Sequence, residues 1–158
     1  MLLGNIYRPE YIKIGLEAED KEAAFEELVD HFCQLTNNSA REEILDSVRE
    51  REDKMSTGIK KGIGIPHGKT GAVDDVYGIL GISKKGIEYD ALDGEPVYII
   101  FLMLTPVQDE VEKHLGLLKN LADLLEEPKF FTDLLGQSDA QSAYAVIKRH
   151  EDIRSARN

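Results

Sequence analysis

Two histidines and an arginine carry the chemistry that this sequence can offer. His67 stands in Ile65-Pro66-His67-Gly68, within the stretch from Arg51 to Thr70, REDKMSTGIKKGIGIPHGKT. Ile63 and Ile65 alternate with glycines as a short buried strand does, and Pro66, which has no N–H to give a ladder, ends it. His67 then sits where the strand leaves the core. Gly68 lets the backbone turn at once and keeps bulk away from the imidazole. A neutral histidine held there can serve as general base, metal ligand or nucleophile, because its pKa lies near physiological pH. A lone Pro-His-Gly is still better read as a turn histidine without chemistry.

His114, in a segment of helical pattern, and Arg51, before the strand, change that balance. With them the chain resembles the EIIA domains of the bacterial phosphoenolpyruvate-dependent sugar phosphotransferase system, the mannitol/fructose class that includes the nitrogen-regulatory type. The pieces that carry the resemblance are Arg51-Glu52, Ser56-Thr57-Gly58-Ile59, Gly62-Ile63-Gly64-Ile65-Pro66-His67-Gly68, Asp93-Gly94-Glu95-Pro96-Val97 leading into Ile99-Ile100-Phe101-Leu102, and His114-Leu115. Their order and separations fit over nearly the whole chain.

The resemblance implies that His67 is the phosphorylation site, taking a phosphoryl group from phosphohistidine on HPr and passing it to EIIB. It implies that His114 is the second active-site histidine, that Arg51 pairs with phosphate oxygens through its fork of donors, and that Ser56 and Thr57 add hydroxyl donors. No metal or organic cofactor is implied. By the residues alone, without the pairing with His67, His114 is better read as a core histidine satisfied by a carbonyl, while Arg51 also reads as a favourable charge at a helix C-terminus worth ~0.3–1 kcal/mol and Ser56-Thr57 as a shaped turn. A regulatory role remains open beside sugar transfer, with the phosphorylation state of His67 controlling docking to a target protein or transporter.

Of two other chemistries, nucleotide binding fails on residues and zinc-dependent hydrolysis stays a distant alternative. Gly68-Lys69-Thr70 looks like the end of a P-loop, but Ile63 occupies the position of the required glycine, and Pro66 and His67 spoil the nest of amides. Zinc at His67 and His114 would need a third ligand that no HExxH or cysteine pair marks. Gly64 stands where the resembled family usually has alanine and Lys60 where a small residue is common, so a slightly loosened strand and an added charge near His67 are expected.

These groups must be positioned by a scaffold. Alternation from Tyr11 to Leu16 predicts a first strand, followed by an amphipathic helix from Asp20 to about Leu35 with Ala23, Ala24, Leu28, Phe32 and Leu35 inward. Ser39 with Glu42 reads as a capping box for a second helix that buries Ala40, Ile44, Leu45 and Val48 and ends near Arg51. Strands are expected at 62–65 and 76–82, a turn at Lys84-Lys85-Gly86, and a short edge segment at 87–89. Pro96 to Leu104, apolar almost throughout, reads as the central strand, buried on both faces. A helix from about Asp109 to Leu125 turns Val111, His114, Leu115, Leu118, Leu121, Ala122 and Leu125 inward. A short helix about Phe130 to Leu135 and a last one from Ser138 follow. Such a mixture predicts a three-layer α/β/α fold with a mixed sheet covered by helices on both faces.

The 158 residues, 42% hydrophobic, suit one compact domain over 1–150 with a frayed tail at 151–158. The net charge of −11 argues against a nucleic-acid partner, since phosphate contacts need a basic face. It suits solubility, or attraction to a basic protein partner. No apolar run approaches the ~20 residues of a membrane helix, the first residues are too short for a signal peptide, and the single Cys33 suits a reducing compartment, so a soluble cytoplasmic protein is expected.

Overall fold

The computed structural model describes residues 2–58, 61–108 and 111–157, the side chains of 111–113 excepted. Lys60 and the expected helix start at Asp109 therefore lie outside the described residues, as does the inward placing of Val111. The strands are β1 (Ile12–Ile14), β2 (Ile63–Gly64), β3 (His67–Lys69), β4 (Tyr77–Ile87) and β5 (Val97–Thr105). The helices are α1 (Lys21–Thr36), α2 (Arg41–Lys54), α3 (Val111–Leu125), α4 (Phe130–Leu135) and α5 (Ala140–Arg157).

β5 is central: β4 pairs with it antiparallel on one edge, and β2 and β3 pair with it parallel on the other. β1 lies outside β4, parallel to it. The apolar run of β5 splits by alternation between two cores. Ile100, Leu102 and Leu104 pack with Phe25, Leu28, Phe32, Ile44, Leu45 and Val48 of α1 and α2. Ile99, Phe101 and Met103 pack with Leu117, Leu121, Leu124, Phe130, Leu134, Val146 and Ile147 of α3, α4 and α5. The mixed sheet is thus covered by helices on both faces, the three-layer α/β/α arrangement expected.

Several local expectations are corrected. Pro66 interrupts its strand without ending it: the chain resumes pairing with β5 at His67, and the Pro66 carbonyl still accepts from Met103 N at 3.0 Å. A proline removes a donor and leaves the acceptor, so the ladder is broken on one side only. Lys84-Lys85-Gly86 makes no turn either. Gly86, at φ +89°, absorbs a register shift between Ile82 and Ile87, and β4 runs on to Ile87 before the chain reverses through Asp90 and Gly94, both with positive φ.

The Ser39–Glu42 capping box does not form. Ala40 is the N-cap of α2, and Asn38 closes the preceding turn by accepting from Ala40 N at 2.9 Å while donating to Ala72 O at 2.9 Å. In α1, Asp20 is the cap, accepting from Ala23 N, and Leu35 faces outward. The inward face of α3 is Leu117, Leu121 and Leu124, whereas Leu115 is 57% exposed and Ala122 is exposed. Leucines on adjacent faces of one helix leave its rotation open, and packing against β5 decides it. The expected frayed tail is helical through Arg157: Glu151 accepts from Leu3 N and Gly4 N, and Arg154 and Arg157 both bond Glu127.

Candidate functional site

Register positions the two histidines. His67 lies opposite Met103 and Gly68 opposite Leu104, so the pleat sends His67 to the α3 face of the sheet and Gly68 to the α2 face. On the α3 face the His67 ring meets that of His114, centroids 5.3 Å apart and planes inclined at 56°. His114 precedes Leu117 by three residues, at the N-terminal end of the stripe that anchors α3 to the sheet.

On the other face a Cβ at Gly68 would clash with Ser47 Oγ and sit 3.1 Å from Val48 N, so α2 is seated flush on the strand that carries His67. Gly68→Ala is therefore expected to push α2 away and destabilise the fold by ~1–3 kcal/mol, measurable as a lower urea midpoint at unchanged m-value. A variant as stable as wild type would contradict this packing.

His67 is partly buried, and its Nδ1 lies 3.2 Å from the carbonyl oxygen of Ile65. A carbonyl only accepts, so Nδ1 carries the proton and the neutral ring keeps its lone pair on Nε2. Burial pushes the imidazole below its ordinary value of 6.5. The bond to Ile65 and the charge of Glu52 oppose this, while the charges of His114 and Arg51 add to it. At neutral pH the ring is an uncharged nitrogen nucleophile in a tautomer set by the backbone.

Between the folded value and 6.5 the unfolded chain binds the extra proton, so the stability associated with neutral His67 is fully present above 6.5 and is lost as pH falls through the folded value. An NMR titration should place the His67 midpoint below that of an unstructured histidine; a midpoint at or above 6.5 would refute the burial argument.

Arg51 lies in the last turn of α2 and donates through Nη1 to the Met55 carbonyl at 2.9 Å. Ser56 accepts from Gly58 N at 3.2 Å. Thr57 differs from expectation. It is 2% exposed, and its hydroxyl donates to Glu52 Oε1 at 2.6 Å and lies 2.8 Å from Tyr89 Oη, so it is turned into the protein. His67 and His114 are thus brought together, Arg51 acts on His67 by its charge, and Thr57 serves the interior.

Glu52 and Tyr89 escaped sequence reasoning. Glu52 follows the inward Val48 by four residues, which puts it on the buried face of α2, a signal that was there to read. Tyr89 carried none, since only the hairpin between β4 and β5 brings it to Thr57. Gly68 and Lys69 lie in a strand, which excludes a P-loop there. Among the described residues no group of three or more His, Cys, Asp or Glu side chains is placed to hold a metal ion, and no helix is long and apolar enough to cross a membrane.

The chain is similar to known proteins. The chain is 31% identical over 140 residues to a PTS system fructose-specific EIIABC component of Bacillus subtilis, matching 89% of itself but only 22% of that longer protein. It is 33% identical over 138 residues to a PTS system fructose-specific EIIA component of Haloferax volcanii, covering 87% of this chain and 89% of the relative. The crystal structure of nitrogen regulatory protein IIA-Ntr from Neisseria meningitidis superposes with a TM-score of 0.83 at 27% identity, over 92% of this chain and 98% of that one. Residues 5–150 match the family described as phosphoenolpyruvate-dependent sugar phosphotransferase system, EIIA 2. With that match spanning most of its length, the chain belongs to the EIIA 2 family of the phosphoenolpyruvate-dependent sugar phosphotransferase system.

Proposed function

We propose that this protein is a cytoplasmic phosphocarrier in which His67 accepts a phosphoryl group on Nε2 from a phosphohistidine of an HPr-like protein and passes it to EIIB. The observation that carries this reading is the pairing of the two imidazoles at 5.3 Å together with the Nδ1–H bond from His67 to Ile65. In the forward step the Nε2 lone pair forms a new P–N bond as the donor P–N bond breaks and its electron pair returns to the donor ring. The Nδ1 proton stays against the Ile65 carbonyl throughout. His114 and Arg51 stabilise the phosphoryl oxygens, on which charge accumulates in a loose transition state.

Apolar side chains suited to transient docking lie on segments next to the site. Leu115 follows His114, Met55 is bonded through its carbonyl to Arg51, Leu92 N bonds Gly58 O, and Val107 follows Thr105, the partner of Lys69; all four are exposed. A modest, partly apolar patch fits a carrier that must release its partners. The net charge of −11 favours basic partners and faster encounter at low salt.

A second reading is supported by the similarity to IIA-Ntr: the phosphorylation state of His67 regulates a target protein or transporter without passing the group to a sugar. Incubation with labelled phosphoenolpyruvate, enzyme I and HPr should place an acid-labile phosphate on His67, located by mass spectrometry. Label elsewhere, or none, would overturn both readings. Subsequent loss of label to EIIB supports the transfer role, and retention in its presence supports the regulatory one.

A further inference from the structure

Glu52 is 7% exposed, and a buried carboxylate is costly unless every lone pair finds a donor. Here the donors are assembled. Thr57 N donates to Oε2 at 2.7 Å, Thr57 Oγ1 donates to Oε1 at 2.6 Å, and Lys21 Nζ lies 3.0 Å from Oε2. The single hydroxyl proton of Thr57 is committed to the carboxylate, so in the 2.8 Å contact with Tyr89 the phenol must be the donor. Burial, with the Glu52 charge beside it, raises the Tyr89 pKa strongly, which keeps that proton in place. Lys21 completes the cluster, 4.9 Å from the centre of the Tyr89 ring.

The cluster is linked to the reacting nitrogen. The Thr57 carbonyl accepts from Ile65 N at 3.1 Å, and the Ile65 carbonyl accepts from His67 Nδ1 at 3.2 Å. From the Glu52 carboxylate to the His67 ring there are thus three hydrogen bonds in series, through Thr57 and Ile65. The chain also makes room for the third member. A Cβ on Gly64 would lie 2.8 Å from Tyr89 Cζ and 3.0 Å from its Oη, and a Cβ on Gly58 would lie 2.9 Å from Tyr89 Cδ1. Gly64, expected to loosen the strand, instead opens the slot into which the phenol reaches.

We propose that Glu52 and Tyr89 are positioning residues for His67: by clamping Thr57 they hold the Ile65 carbonyl where it fixes the Nδ1–H tautomer, leaving Nε2 as the nitrogen that reacts. The clamp rests on the phosphocarrier reading only for its purpose; its geometry is read on the unphosphorylated protein. The charged groups that act on His67 come from two helices, Arg51 and Glu52 on α2 and His114 on α3, so charge and geometry must be separated by the choice of variants.

The test is ¹⁵N NMR of the His67 imidazole in wild type, Glu52→Gln, Thr57→Val, Thr57→Ser, Tyr89→Phe and Gly64→Ala, each checked for folding by amide spectra. Wild type should show protonated Nδ1 and unprotonated Nε2. Glu52→Gln and Thr57→Val should lose that preference and titrate at lower pH, because the bond to Ile65 that supports the proton slackens. Thr57→Ser, which keeps the hydroxyl, should restore it. Tyr89→Phe and Gly64→Ala, which remove or displace the phenol, should shift it in the same direction by less.

Initial rates of phosphoryl acceptance should fall roughly 10-fold in Glu52→Gln and Thr57→Val, by analogy with outer partners that orient a metal-bound histidine. Variants that melt earlier yet keep the wild-type tautomer and titration would reduce the cluster to scaffold and overturn the proposal. A shift in Glu52→Gln with none in Thr57→Val would also overturn it, by showing a through-space charge effect. A wild-type protein that accepts no phosphoryl group would instead sink the phosphocarrier reading, while the NMR comparison would still decide the clamp.

Discussion

His67→Ala is expected to abolish phosphoryl transfer from phosphoenolpyruvate through enzyme I and HPr, with label in the variant indistinguishable from background. The loss should be total, because the substitution removes the atom on which the P–N bond is proposed to form. His114→Ala removes only a stabilising neighbour and should retain transfer at roughly 10²-fold lower rate, the usual cost of one donor at a site of developing charge. The remaining histidines provide an internal control. His31 bonds the Glu10 carbonyl on the far side of α1, and His150 is buried between Asp133 and Phe130, so neither can substitute. Stable label in His67→Ala would refute the assignment outright.

The second large effect belongs to the sheet that holds the site. Phe101 lies at the middle of β5, 1% exposed, with its ring edge-on to Tyr7 at 5.2 Å and stacked with Phe130 at 6.3 Å. Phe101→Ala should cost ~3–5 kcal/mol through lost burial and an unfilled cavity. That is a large share of the ~5–15 kcal/mol by which a domain is stable, and it should lower Tm by roughly 10 °C. Thermal unfolding checks it; a loss below ~1 kcal/mol would mean that this core is not organised around β5. Because Met103, two residues along the same face, pairs in register with His67, the survivors should also show a perturbed His67 spectrum.

Much of this architecture was legible because it rests on local pattern. A nearly unbroken apolar run from Pro96 to Leu104 can be satisfied only by burial on both faces, which makes it central. Helical spacing of apolar residues likewise acts within a few residues. The misreadings share a cause. Lys84-Lys85-Gly86 has turn composition, but a positive φ at Gly86 serves a bulge as well as a turn, and pairing with Val97 selected the bulge. The rotation of α3 and the fate of residues 151–157 were settled by partners distant in sequence, β5 for the one and Glu127, Leu3 and Gly4 for the other.

For the site, residue type was enough to nominate His67, His114 and Arg51, since nitrogen nucleophiles and phosphate donors are properties of single side chains. Their meeting was not, because it needs the register of β3 on β5 to point His67 at α3 and Gly68 at α2. The inward turn of Thr57 and the clamp of Glu52 and Tyr89 belong to the same class. A hydroxyl takes whichever acceptor lies within ~3 Å, and folding alone determines which acceptor that is.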